Sequence, residues 1–189
     1  SRKAGQVDPK REYVVIGKER HDFSRPNNQG YPIRGIVGKG YIYLYNYKIG
    51  LWPAGNPELG YLDVDGGPTK TEILELFRSG KDRSYWDLSF GKRKTNEEFF
   101  DLVNDPDCLN NLADDERLTA VKAKMKARLE ETLTVQKDPR HLGNGDVFDN
   151  YGYSRNLAWN FYEKYMAGEE NKANTGWVNE SDYESEPLD

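Results

Sequence analysis

The chain has 189 residues, of which 36% are hydrophobic and 31% charged, with a net charge of −5. That length holds one ordinary domain, or one small domain with extended arms. The charge excludes the whole-protein basic field of a nucleic-acid binder. The single cysteine, Cys108, excludes an internal disulfide framework, and no run approaches the roughly 20 apolar residues of a membrane span.

Tyr is over-used, with 13 copies beside four Trp, so the expected core is modest and aromatic. Residues 1–11 are polar and read as frayed. Tyr13-Val14-Val15-Ile16 is a β-branched run ended by Gly17, too apolar for a surface strand. Residues 18–30 form a polar loop with Pro26, Asn27, Asn28 and Gly30 as turn chemistry. Ile33 to Val37 and Tyr41 to Tyr45 flank Gly38-Lys39-Gly40 and predict a hairpin. Residues 46–70 are irregular and carry Trp52. A short helix is expected over 70–79, capped by Thr69 or Thr71 and ended by Gly80. Strands are expected over Tyr85–Phe90 and Glu98–Leu102. Leu118, Val121, Met125, Leu129 and Leu133 recur at helical steps after Asp114 or Asp115, predicting a helix of about 20 residues. A short helix over 155–167 and an acidic tail or arm from about 168 complete the chain.

Most chemical motifs are missing. His21 and His141 have no zinc-ligand spacing, and neither a phosphate loop nor a nucleophile elbow occurs. Asp63-x-Asp65-Gly66 lacks the later ligands of a calcium loop and reads as a turn. One constellation stands out: Lys18, Arg20, His21, Arg25, Asn27, Asn28, Tyr31 and Arg34 fall within 17 residues. Arg offers a planar fork that matches tetrahedral oxyanions, and His donates near neutral pH. Such a set fits half a site for a sulfated or phosphorylated sugar, or an ordinary basic loop.

The segment GKERHDFSRPNNQGYPIRGIVGKGYIYLYNY resembles the passage from catalytic domain to C-terminal subdomain in sulfatases of the heparan N-sulfatase (N-sulfoglucosamine sulfohydrolase) type. Its elements are His21, then Tyr31-Pro32-Ile33-Arg34, then Tyr41 to Asn46. Farther on, EEFFDLVNDPDCLNNLADD resembles the family's Glu-Leu-Tyr-Asp-Leu and Asp-Pro-x-Glu-x-x-Asn-Leu-Ala stretch. The resemblance covers roughly residues 12–150 and rests on the order and spacing of its pieces.

The resemblance implies an α+β fold: a small antiparallel sheet of about four strands packed on a long C-terminal amphipathic helix, with extended arms. Residues 1–30 would be a linker, a strand belonging to the sheet of a missing catalytic domain, and a substrate loop. Residues 31–150 would be the sulfatase C-terminal subdomain, and 151–189 a partly irregular extension. The parent would hydrolyse sulfate esters or sulfamates on glycosaminoglycan-like sugars, outside the cytoplasm: periplasmic, extracellular or lysosomal. His21 and Arg20, then Arg25 and Arg34, are the expected substrate contacts. Arg34 is equally suited to pairing with a carboxylate in the sheet.

No catalytic residue or cofactor is expected in this chain. The family's formylglycine arises from a Cys/Ser-x-Pro-Ser/Ala-Arg motif, which Cys108 does not match. Its calcium belongs to the missing catalytic domain, the expected partner alongside the sulfated sugar, so the chain alone is expected to be inactive. The alternative is a stand-alone carbohydrate-binding or structural interaction module, using Tyr41, Tyr43, Tyr45, Trp52 and Trp86 as the stacking surface.

Overall fold

The structure is a computed structural model and describes residues 12–154, 158–186 and 188. The frayed stretch 1–11 and the first residues of the helix expected over 155–167 lie outside the described residues. Four strands, β1 (Tyr13–Lys18), β2 (Ile33–Gly38), β3 (Tyr41–Asn46) and β4 (Glu97–Asp101), form one sheet in sequential order. Every pairing is antiparallel. The fold is α+β, as expected. β1 is not a strand of another domain's sheet: it pairs with β2 along its whole length, from Tyr13 opposite Gly38 to Lys18 opposite Ile33.

The hairpin between β2 and β3 turns on Lys39 and Gly40, both at positive φ (51° and 79°). Two such residues match the twist of the flanking strands. The helices are α1 (Pro68–Arg78), α2 (Ser84–Ser89), α3 (Thr119–Val135) and α4 (Phe161–Met166). α1 opens on Pro68 after Gly67, with no side-chain cap from Thr69 or Thr71. It ends before Gly80, whose φ is +68°.

The strand expected over Tyr85–Phe90 is instead the helix α2. Asp82 accepts from the Ser84 amide and hydroxyl at 2.8 and 2.6 Å, a side-chain start signal. Trp86 and Phe90, one helical turn apart, then share an apolar cluster with Trp52, Tyr61 and Leu74.

Alternation along each strand gives the sheet two different faces. Tyr13, Val15, Ile36, Tyr43 and Phe99 face α3, where Met125, Leu129 and Leu133 meet them. The helix buries only this narrow stripe, and Val135 at its end is exposed. It therefore lacks the broad apolar face of the long amphipathic helix expected. The opposite sheet face is partly open: Val14 is 57% exposed and Ile16 38%.

The acidic C-terminal stretch lies on the body. Trp177 donates its indole N–H to the Leu62 carbonyl at 3.0 Å. Asp182, fully buried, pairs with Lys70 of α1 at 3.2 Å.

Candidate functional site

Three of the four sequence-predicted site residues, Arg20, His21 and Arg25, lie in the loop between β1 and β2 and the fourth, Arg34, on β2, and the structure separates them. Arg25 is buried inside the loop. Its Nε–H donates to the Trp52 carbonyl at 2.7 Å, and Nη2 to the Pro53 carbonyl at 3.0 Å and to Asp63 at 2.8 Å. Asp63 also takes Lys18 at 3.3 Å and the Ser24 hydroxyl at 2.9 Å. Burial works against the Asp63 carboxylate, but the Arg25 and Lys18 charges outweigh it and hold the carboxyl below its ordinary range. Burial also lowers the Lys18 amine, more than Asp63 raises it.

Arg34 is buried too, on the α3 side of the sheet. It bonds Glu19 at 2.7 Å and Asp138 at 2.9 Å. Glu19 in turn takes Arg140 at 2.8 Å. The sheet-pairing reading of Arg34 is the one this geometry matches, with carboxylates from outside the strands.

Arg20 is half-buried and His21 exposed. The Arg20 Nη1 donates to the carbonyls of Asn28 at 3.3 Å and Asp149 at 3.1 Å, and Nη2 donates to the Tyr151 carbonyl. Its guanidinium sits 3.8 Å from the centroid of the Tyr153 ring. Of its five N–H groups, Nε–H and one on Nη2 make no bond to the described residues. His21, beside it, is exposed. Together they present a cation edge and an imidazole to solvent, which suits an oxyanion flanked by hydroxyls.

Residues far along the chain complete the site. Asn28 and Asn160 exchange side-chain and backbone bonds at 2.7 and 2.8 Å. Glu163 accepts from the Asn27 amide at 2.7 Å and Asp149 from the Gly30 amide at 3.0 Å. Nothing local in the sequence marks these pairs, which lie more than 100 residues apart. Asp63 had a signal, the Asp63-x-Asp65-Gly66 turn, but not its buried partner Arg25.

The five aromatics of the alternative reading do not form one stacking platform: Tyr41, Tyr43 and Tyr45 belong to the cluster under α3, and Trp52 and Trp86 to another, buried one. Tyr43 lies beneath α3 and Tyr41 stacks on Phe99 at 5.1 Å. Cys108 sits half-buried in the turn after β4, with burial first and then Asp105 and Asp107 raising its thiol above the ordinary value, which disfavours the nucleophilic thiolate. Among the described residues no group of three or more His, Cys, Asp or Glu is placed to hold a metal ion. No described helix is long and apolar enough to cross a membrane.

No protein-family model matches the chain. An ulvan-active sulfatase of Formosa agariphila is 28% identical over 146 residues, which are 74% of this chain and 22% of that protein. This chain is similar to part of a sulfatase. It thus spans about a fifth of the length of that curated relative. A solved structure of a 2-O GAG sulfatase overlaps 74% of this chain and 19% of its own, at 18% identity and a TM-score of 0.39. The ulvan-active sulfatase is not a heparan N-sulfatase by name, so the likeness holds at the coarser level of sulfatases.

Proposed function

We propose that this chain is the C-terminal part of a sulfatase that cleaves sulfate esters or sulfamates on a sulfated polysaccharide, and that its 18–34 loop forms one wall of the substrate pocket. The observation that carries the reading is the similarity to the ulvan-active sulfatase over 146 residues. It agrees with the order of His21, Tyr31-Pro32-Ile33-Arg34, Asn46 and the Glu98–Ala113 stretch along the sequence.

In this reading the roles of the four residues divide. Arg20 offers its open Nε–Nη2 edge to a sulfate oxygen, and His21 hydrogen-bonds the sulfate or a neighbouring hydroxyl. Arg25 and Arg34 are positioning residues. Arg25, through Asp63, holds the loop against the 52–63 segment, and Arg34 ties it through Glu19 and Asp138 to the end of α3.

The bond-breaking groups belong to a catalytic domain, where the formylglycine and calcium of such enzymes are expected. The residues of this chain do not fit either group: Cys108 stands in Asp-Cys-Leu-Asn, and the carboxylates near the loop are taken up by Arg and Lys.

The open sheet face is where that domain docks. Beneath it lies a cavity of about 480 Å³ lined by Ile33, Leu44, Phe100 and Arg93 together with Tyr31 and Asn46. The Tyr31 hydroxyl and the Asn46 Oδ1 are buried without a hydrogen-bond partner, and such orphans are costly unless something else meets them. Burial pushes the Tyr31 hydroxyl up to about 12, so it stays protonated and able to donate. An enzyme of this kind would act outside the cytoplasm.

The coding sequence upstream of Ser1 tests the proposal at once. A Cys or Ser followed by x-Pro-Ser/Ala-Arg is expected there; an upstream region of several hundred residues without that motif overturns it.

A further inference from the structure

Residues 151–189 were expected to be a partly irregular extension, yet residues 149–163 bond the 18–30 loop repeatedly. Asn27 and Asn28 are consecutive non-glycine residues at positive φ, 56° and 55°, a conformation that persists only when neighbours over-determine it. The neighbours come from 149–163. Glu163 takes the Asn27 amide, Asn160 locks the Asn28 side chain from both ends, and Asp149 takes the Gly30 amide. Lys48 holds the other Asp149 oxygen at 2.8 Å.

The same segment fixes Arg20. Its carbonyls at Asp149 and Tyr151 accept from the two terminal nitrogens, and the Tyr153 ring centroid lies 3.8 Å from the guanidinium carbon. Phe23 anchors the underside, with its ring 4.7 Å from Phe161 and 5.6 Å from Trp177.

We propose that Asp149, Asn160 and Glu163 are positioning residues that hold the 18–30 loop in its strained form and so aim the free edge of Arg20 at the anionic group of the substrate. The assignment rests on the pocket-wall reading for its ligand, but the clamp itself is a property of this chain. Asn160 sits at a φ of 56°, so Asn160→Gly removes the amide without straining the backbone. Asn160→Asp keeps the acceptor for Asn28 and serves as the conservative rescue.

Two measurements on the whole chain test it: hydrogen exchange of the loop amides, and calorimetric binding of a sulfated ulvan oligosaccharide beside its desulfated counterpart. In Asn160→Gly the amides of 27–30 exchange about 10-fold faster while those of β2 and β3 keep their rates, and Asn160→Asp restores protection. Affinity for the sulfated oligosaccharide falls as far as in Arg20→Ala, and the double variant is no weaker than Arg20→Ala alone. Unchanged loop exchange overturns the clamp. A loosened loop with unchanged affinity overturns the aiming role. If the unaltered chain binds neither oligosaccharide, the pocket-wall reading fails, and the clamp stands or falls on exchange alone.

Discussion

Arg25 is buried at 1% exposure and has no surface to offer a ligand. Two carbonyls and Asp63 take its Nε and Nη2 donors, while Nη1 is buried without a hydrogen-bond partner among the described residues. Breaking a buried pair leaves an uncompensated charge, so Asp63→Ala is expected to cost about 3–5 kcal/mol, read from urea denaturation with an unchanged slope. Glu97 gives the pH dependence. Burial opposes its ionisation, but Lys122, Lys126 and the Tyr43 hydroxyl outweigh it and bring its carboxyl from 4.5 down to about 2. A folded value below the unfolded one means stability present above pH 4.5 and lost as pH falls toward 2. The thermal midpoint should therefore drop through that window, and Glu97→Gln should flatten the drop. A wild-type midpoint insensitive to pH between 4.5 and 2 would contradict the assignment. At this scale the sequence singled out the 18–34 stretch but could not rank its arginines. Burial decides between contact and framework, and it depends on Asp63, Asp138 and Asp149, residues with no local link to the loop.

The helix α3 meets the sheet through a stripe of three buried side chains. Truncating its centre, Leu129→Ala, should cost about 2–5 kcal/mol through lost contacts and a residual cavity. Chemical denaturation checks it, and a cost below 1 kcal/mol would mean that the stripe is not the seam. β1 poses the opposite case. Val14 and Ile16 lie on the open face, so Ile16→Lys should leave the midpoint of the isolated chain within about 1 °C, since exposed substitutions rarely move stability far. It should also suppress any self-association seen in sedimentation. A large loss of stability would show that the face is already packed. The hairpin and the Gly80 stop were legible because they depend on local turn signals, whereas the start of α3 was placed too early: Asp115 caps the separate turn Glu116–Leu118, and α3 begins at Thr119 with no side-chain cap. α2 was not legible: in a six-residue segment the rings of Trp86 and Phe90 fit strand alternation and helical spacing equally, and only the Asp82 cap separates the two. β1 was misassigned because an apolar run says that a strand is covered, not which sheet covers it.

The whole molecule joins three apolar clusters: one under α3, one around Trp86, and one where Phe23 and Leu62 meet the returning C-terminal segment. That third cluster explains why the acidic stretch is not a tail. The sequence left a tail or an arm open, and Trp177 and Asp182 each find a partner on the body. Acidic residues of the extension meet Lys70, Arg78 and the Asn27 amide of the basic loop. The same closure builds the candidate site, whose supports are spread across the chain while its solvent-facing groups, Arg20 and His21, are adjacent.

The most direct measurement of the proposed function is sulfate released from a panel of sulfated polysaccharides, quantified by ion chromatography, with the full-length gene product and its Arg20→Ala variant compared. The proposal predicts release from at least one of them by the full-length product and a KM raised about 10-fold or more by Arg20→Ala, in line with the loss of a charge-assisted contact. No sulfate release by the full-length product, or equal kcat/KM for the two proteins, would contradict it.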